Sequence, residues 1–379
     1  MAGPAGLIRA MAAAPKGSRM KPAGYFAQSY AEARRKFIAA ASAAWREPVP
    51  HPHPLLGRDG EALAMDVARF GAADAPAVLI ISSACHGVEG YCGSGVQGAL
   101  LADGGFHDAA ARAGVALLYV HALNPYGFSW LRRTTHENVD LNRNFQDFSQ
   151  PLPRNAAYDR LAHLIVPPEW PPTPQVKAAL AGFAAEHGVK ALQAAISGGQ
   201  YEHPQGVFYG GRNPTWSHQT LRHVLQEHGR RCRRLAWLDL HTGLGPSGHG
   251  ERIWAGPDDA AAIARARRWW GEAVTSIYDG SSESALLTGL MWLAAGDECA
   301  QAEYTGIALE YGTVPWDDVT LALRADQWLE NHPEAPHALH AKIKRQIRDA
   351  FYTDTDAWKA RIVEQGLQAA HQAVAGLSS

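Results

Sequence analysis

Two side chains able to hold a metal stand three residues apart at the end of an apolar run: His86 and Glu89, in AVLIISSACHGVEG over residues 77–90. Imidazole nitrogen and carboxylate oxygen both ligate zinc, and a three-residue offset on a short turn lets both point to one side. Two ligands do not complete a site. Two later stretches share the same build, an apolar strand-like run that stops at a polar residue and a glycine: LAWLDLHTG, which presents His241, and GIALEYG, which presents Glu310. Three of these four residues fill a shell of two histidines and a glutamate with a position left for water, and Glu310 is then placed to act as general base. Asp239, two residues before His241, points to the same side in an extended chain and is a candidate to orient it. Between these stretches, WLRRTTHENVDLNRNF brings together Arg132, Arg133, Asn142 and Arg143. Guanidinium groups pair carboxylates bidentately and asparagine adds a neutral donor, so this is a candidate anion site. Arg132 is the expected stabiliser of a developing oxyanion.

These residues have to be positioned by ordered elements. Buried strands are expected over residues 78–81, 115–120, 191–196, 234–240 and 307–310, with an early strand over 61–70. Helices are expected over 26–45, with Ser29 as cap and Glu32 completing a capping box, and over 175–187, 216–229 (capped by Ser217), 258–278, 320–352 and 358–376. A further helix follows Glu89. Its Gly93 and Gly95 read as close packing, because the lysine of a phosphate loop is absent. The His51-Pro52-His53-Pro54 stretch reads as an extended linker and the proline-rich residues 149–174 as an irregular surface excursion. A loop carrying Gln200, Tyr201, Glu202 and His203 is a candidate pocket wall, and residues 242–248 form a glycine-rich loop after His241. Strands alternating with helices define an α/β class: a mixed, mostly parallel twisted sheet flanked by helices, with ligands gathered at the carboxyl ends of the strands. Residues 23–379 read as a single α/β domain with helices at both ends. Residues 1–22, with Arg9, Lys16, Arg19 and Lys21 and no acid, read as a disordered leader.

Composition narrows the partners. The chain of 379 residues is 46% hydrophobic and 19% charged, enough to bury a large core. A net charge of -2 argues against a nucleic-acid or anionic-membrane surface. No apolar run approaches the ~18 residues that a membrane helix requires. Cys85, Cys92, Cys232 and Cys299 form no Cys-x-x-Cys motif, and a reduced, cytoplasmic protein is expected.

Taken in order, His-x-x-Glu at 86–89, Asn-Arg at 142–143, His241 after a strand and Glu310 after the last strand resemble the zinc carboxypeptidase superfamily. The resemblance implies one zinc per chain on His86, Glu89 and His241, in a zinc carboxypeptidase-like fold. Arg132-Arg133-Thr134 is similar to the family's Arg-x-Thr segment, which implies Arg132 as the oxyanion residue. It likewise implies Asn142 and Arg143 as holders of a substrate's terminal carboxylate and Glu310 as base. The opening YFAQSYAEAR and the HTGLGPSG loop are similar to a bacterial branch of that superfamily. The implied activity is hydrolysis of an amide bond in a small peptide. An N-acyl amino acid deacylase of the desuccinylase and aspartoacylase type, or a catalytically inactive ligand-binding module, would use the same pocket. Two departures stand out. The family's substrate-capping tyrosine has no clear match, Tyr278 and Tyr304 being the candidates, and Thr-Gly-Leu-Gly follows His241 where carboxypeptidases carry a polar, aromatic stretch.

Overall fold

In a computed structural model, which describes residues 20–44 and 47–379, seven strands form one sheet. They are β1 (Val49–Leu56), β2 (Ala62–Phe70), β3 (Ala77–Ser83), β4 (Val115–His121), β5 (Arg234–Thr242), β6 (Gly250–Trp254) and β7 (Glu303–Tyr311), in the order β1-β2-β4-β3-β5-β7-β6. The central four strands, β4, β3, β5 and β7, run parallel. The margins, β1–β2, β2–β4 and β6–β7, are antiparallel. The parallel centre is apolar on both faces, as a sheet covered on both sides must be. Along β3, Leu79 and Ile81 join one core cluster, and Val78 and Ile80 join the other. Each such buried aliphatic side chain contributes about 1.5–3 kcal/mol.

Helices Tyr30–Ala43, Gly90–Leu101, Ala260–Trp270 and Asp356–Ser378 cover the first face; helix Trp216–His228 and the 291–298 segment cover the second. On β5, Leu235 and Trp237 belong to the second face, so Asp239 and His241, in phase with them, point the same way. On β7, Ala308 belongs to that face, and Glu310 follows in phase.

Several local expectations change. Residues 191–196 are not a strand but part of helix Val189–Ser197, whose Leu192, Ala195 and Ile196 are buried at helical spacing. The proline-rich excursion contains helix Ala156–Ile165, capped by Asn155. His51 to Pro54 lie within β1, an edge strand where a proline's missing donor costs least. The helix expected over 258–278 ends at Trp270, because Gly271 turns the chain at φ +97. That at 216–229 is capped by Thr215, not Ser217. The helix over 320–352 is two, Trp316–Asn331 and His337–Phe351, separated around Pro333 and Pro336. Strand β6 was not expected. The Ser29 cap holds, accepting from the Glu32 amide at 3.1 Å. The leader over 1–22 and the Trp45 end of the first helix fall largely outside the described residues. Among those described, no helix is long and apolar enough to cross a membrane.

Candidate metal centre

Strand β3 ends at Ser83, Ala84 turns the chain at φ +58, and His86 then starts the short 3-10 turn Gly87–Glu89. That turn lies against the Pro125–Ser129 helix so closely that a Cβ on Gly87 would sit 2.1 Å from the Gly127 carbonyl carbon. Only glycine lets the two segments meet there. The neighbouring strand end supplies His241, whose register partner on β7 is Glu310. Three ligand-capable groups thus converge from two strand ends.

The convergence is close. His86 Nδ1 lies 2.8 Å from Glu89 Oε1, His241 Nδ1 lies 3.1 Å from Glu89 Oε2, and the two Nδ1 atoms are 3.3 Å apart. A tetrahedral zinc with bonds of about 2.0–2.1 Å to nitrogen needs ligand atoms ~3.3 Å apart. All three residues are buried. The far nitrogen of each imidazole meets a carboxylate: His86 Nε2 lies 3.2 Å from Asp140 Oδ1, and His241 Nε2 contacts Asp239 Oδ2. At His241 the Asp239 carboxylate fixes the ring and its tautomer and so aims Nδ1 inward, whereas at His86 the Arg133 guanidinium, 2.7 Å from Nε2, shares that nitrogen with Asp140. Asp239 is in turn held by the Ser82 hydroxyl, which donates at 2.6 Å, and Ser82 accepts from the Trp237 indole at 2.7 Å. The donor set, its spacing and its outer carboxylates fit a zinc ion. Asp239 stands where the alternation placed it. Asp140 was missed, although a lone carboxylate inside the apolar Val-Asp-Leu of VDLNRNF was the signal.

Electrostatics agree with a cation-binding role. Burial works against ionisation of Glu89, but His86 and His241 beside it hold its carboxyl well below the ordinary range. Burial alone would depress His241, yet Asp239 and Glu89 outweigh it and raise its pKa well above the ordinary value. Glu310 behaves in the opposite way: burial, with the Glu89 charge nearby, pushes it up to about 8. Its Oε1 accepts the Leu244 amide at 3.0 Å, which fixes the carboxyl over the strand ends.

His86, Glu89, His241 and Glu310 line one cleft of about 790 Å³, its open mouth included, together with Asn142 and Arg143. Arg143 is 2% exposed, and its guanidinium donates to the Asn142 and Ser197 carbonyls at 3.0 and 2.6 Å. Its nearest carboxylate, Asp140, is 4.0 Å away, and its Nε is buried without a partner. Burial lowers its pKa against the Asp140 charge. It is therefore an under-compensated buried cation facing the cleft. The Asn142 Oδ1 accepts the Met291 amide at 2.9 Å, while its Nδ2 has no partner among the described residues.

Arg132 does not line this cleft. It turns away to Asp326 and Glu330, at 3.3 Å each, and the guanidinium at the centre is that of Arg133. Arg133 reaches Glu89 Oε1 at 3.3 Å, His86 Nε2 at 2.7 Å and Asp140 Oδ2 at 2.9 Å. Neither candidate capping tyrosine lines it: Tyr278 donates to the Gly256 carbonyl and Tyr304 to that of Ala255. From the expected wall loop it is Phe208, not Gln200 to His203, that lines the cleft, with Arg133 and Arg143 both over its ring. Tyr201 instead donates to the Arg143 carbonyl at 2.7 Å. Cys85 is a buried thiol that burial pushes up, in keeping with a packed side chain.

The class so defined is an α/β protein with a two-histidine, one-glutamate cluster at the carboxyl ends of a parallel sheet centre. The chain belongs to the family described as "Protein of unknown function (DUF2817)", which residues 26–365 match. No curated protein matches it. Among solved structures it is similar to carboxypeptidase A from Helicoverpa armigera, at 14% identity and a TM-score of 0.40, over 85% of this chain and 74% of that one. It is also similar to thrombin activatable fibrinolysis inhibitor, at 13% and 0.44, over 83% and 79%. A metallo-carboxypeptidase from Burkholderia cenocepacia is similar at 12% and 0.35, over 79% and 68%.

Proposed function

We propose that this protein is a zinc-dependent hydrolase that cleaves an amide bond next to a free carboxylate, in the manner of a carboxypeptidase. The observation that carries the reading is the meeting of His86 Nδ1, Glu89 and His241 Nδ1 within 3.3 Å of one another, each imidazole backed by its own carboxylate. The order of these motifs along the chain, similar to that of the zinc carboxypeptidases, supports it.

His86, Glu89 and His241 would hold the zinc, which supplies a Lewis acid for the scissile carbonyl and lowers the pKa of a water. The Glu310 carboxyl, buried beside them with its Oε1 held by the Leu244 amide, would take a proton from a water in the cleft and pass it to the leaving amine. Arg133 faces the same point with charged donors, suited to the oxygen on which charge develops. Arg143 and Asn142 bind the carboxylate of the leaving amino acid: the first lacks a close counter-charge, and the second keeps two free N–H groups. Ile253, Ile277, Leu287 and Trp292 offer that residue's side chain an apolar wall.

The test pairs a substrate change with a residue change. A peptide amidated at its C-terminus should be cleaved at least ~10-fold more slowly than the free acid, since a charged hydrogen-bonded contact is worth about 1.5–3 kcal/mol. Glu310→Gln should keep its metal and lose about 10²–10⁴-fold in kcat. Near-wild-type turnover by that variant would remove Glu310 from the chemistry, and indifference to amidation would remove Arg143 and Asn142 from recognition.

A further inference from the structure

The cleft has a roof. Helix Trp316–Asn331 lays Trp316, Val319, Thr320 and Leu323 along it, a spacing that marks one helical face, and helix His337–Phe351 adds Phe351. The roof is tied to the strand ends at the close of the second helix. The Phe351 carbonyl accepts from Thr242 Oγ1 at 2.8 Å, one residue after His241, and the Ala350 carbonyl accepts from Thr313 Oγ1 at 2.6 Å. Behind it, Arg132 and Lys344 share the same two carboxylates. Arg132 lies 3.3 Å from both Asp326 and Glu330, and Lys344 lies 2.6 and 2.9 Å from them. Arg132 and Asp326 are buried, so lifting the roof would strand buried charges. This four-charge cluster fastens both helices to the segment that carries Arg133.

We propose that this roof limits the substrate to one residue, or one acyl group of that size, on the amino side of the scissile bond: dipeptides and short N-acyl amino acids. The inference rests on the hydrolase reading and adds the substrate's length to it. Arg143, Asn142 and the neighbouring 281–293 segment occupy the leaving-group half of the cleft. The roof stands on the side of Glu310 and Arg133: a Cβ on Gly243 would meet Phe351 at 3.0 Å and Glu310 Oε1 at 3.7 Å, and Leu323 lines a small adjoining hollow with Arg133. A longer peptide docks by adding main-chain hydrogen bonds to an open edge or loop. The roof is a helix face whose backbone groups are bonded within the helix, so it presents side chains and no such partners.

The experiment is a length ladder on the zinc-loaded protein: N-acetyl-Leu, Ala-Leu, and the same C-terminal residue on two, three and five alanines, repeated with Phe. The expected result is a fall in kcat/KM of at least ~10-fold from dipeptide to tripeptide and a further fall to the hexapeptide; each lost tenfold is about 1.4 kcal/mol of transition-state binding. A flat or rising ladder would overturn the limit. Calorimetry of the same compounds on Glu310→Gln reads binding without turnover. Affinity that falls with length while the wild type cleaves nothing would retire the hydrolase reading and keep the limit. Equal affinity along the ladder, or no binding and no turnover at all, would overturn it. Leu323→Ala and Val319→Ala thin the roof, and in variants that melt like wild type the hexapeptide-to-dipeptide ratio should rise about tenfold. An unchanged ratio would place the limit elsewhere and contradict the role given to this helix.

Discussion

Arg132 and Arg133 are adjacent in the chain and do opposite work. Arg133 lines the cleft against Glu89 and Asp140, while Arg132 points out of it to fasten helix Trp316–Asn331 through Asp326. Arg132→Ala should therefore lower stability by about 3 kcal/mol, the low end for breaking a buried pair, because Lys344 still faces Asp326. Arg133→Ala should cost kcat/KM about 10²–10³-fold, the usual effect of losing an oxyanion donor. Urea melts and steady-state kinetics on both variants check this, and the reverse pattern would return the catalytic role to Arg132. The choice between them was not legible in the sequence, since neighbouring side chains on a non-helical segment face opposite ways and nothing local fixes the phase. His241 and Glu310 were legible for the contrary reason. Each stands at the polar end of a short, largely apolar run, broken before His241 only by Asp239, and both runs are buried strands. His86 and Glu89 were legible from their offset alone. The lone carboxylate of Asp140 was visible in Val-Asp-Leu, but its place beside His86 Nε2 was not, because that depends on a partner 54 residues away in the chain.

At the scale of elements, the tightest joint is between the ligand-bearing turn Gly87–Glu89 and the helix Pro125–Ser129. The Cβ of a Gly87→Ala side chain would meet backbone atoms at 2.1–2.4 Å, and backbone cannot swing aside as a side chain can. Overpacking of this kind costs about 1–3 kcal/mol. Here it also displaces His86 and Glu89, so lower thermal stability and weaker zinc affinity should appear together in Gly87→Ala. Wild-type values for both would show that the joint does not position the ligands. The helix that follows repeats the principle. Gly93 packs where a Cβ would lie 2.6 Å from the Ser83 side chain, and glycines there read correctly from sequence as close packing. The strands of the sheet centre were legible as continuous apolar runs bounded by turns. The segment 191–196 was not, because Ala-Leu-Gln-Ala-Ala-Ile satisfies a strand or a helix equally, and only its packing beside helix Pro174–His187 decides. Strand β6 was missed because Gly-Glu-Arg-Ile-Trp is short and polar, and it exists by pairing with β7. The roof was legible only as helical spacing; that it covers the cleft is a long-range fact.

At the scale of the whole molecule, two buried histidines should weaken the fold in acid. Burial holds His121 at about 3 and His218, with Arg222 beside it, at about 4. His121 is stacked on Phe37 at 4.5 Å, with Ser94 Oγ 3.0 Å from its Nε2 and no partner for its Nδ1. Both pKa values are depressed relative to an unfolded value of ~6.5. Their contribution is therefore complete above pH ~6.5 and is lost as pH falls through the window from 6.5 toward 3, where the unfolded chain binds the extra protons. Between pH 7 and 5, His121 alone should remove about 2 kcal/mol of stability. His121→Gln should flatten that slope in urea melts whatever it does to stability at pH 7, and an equally steep slope would mean that His121 does not govern it. Zinc binding to the folded state should add stability that a chelator removes, since a ligand that prefers the folded chain raises its melting temperature. The site assignment meets its most direct test in the metal content of the purified protein, measured by elemental analysis for wild type, His86→Ala and His241→Ala together. About one zinc per wild-type chain, lost in both variants, is the predicted result. A well-folded wild type that holds no metal after zinc is supplied, or variants that keep it in full, would contradict the metal centre and the function proposed on it.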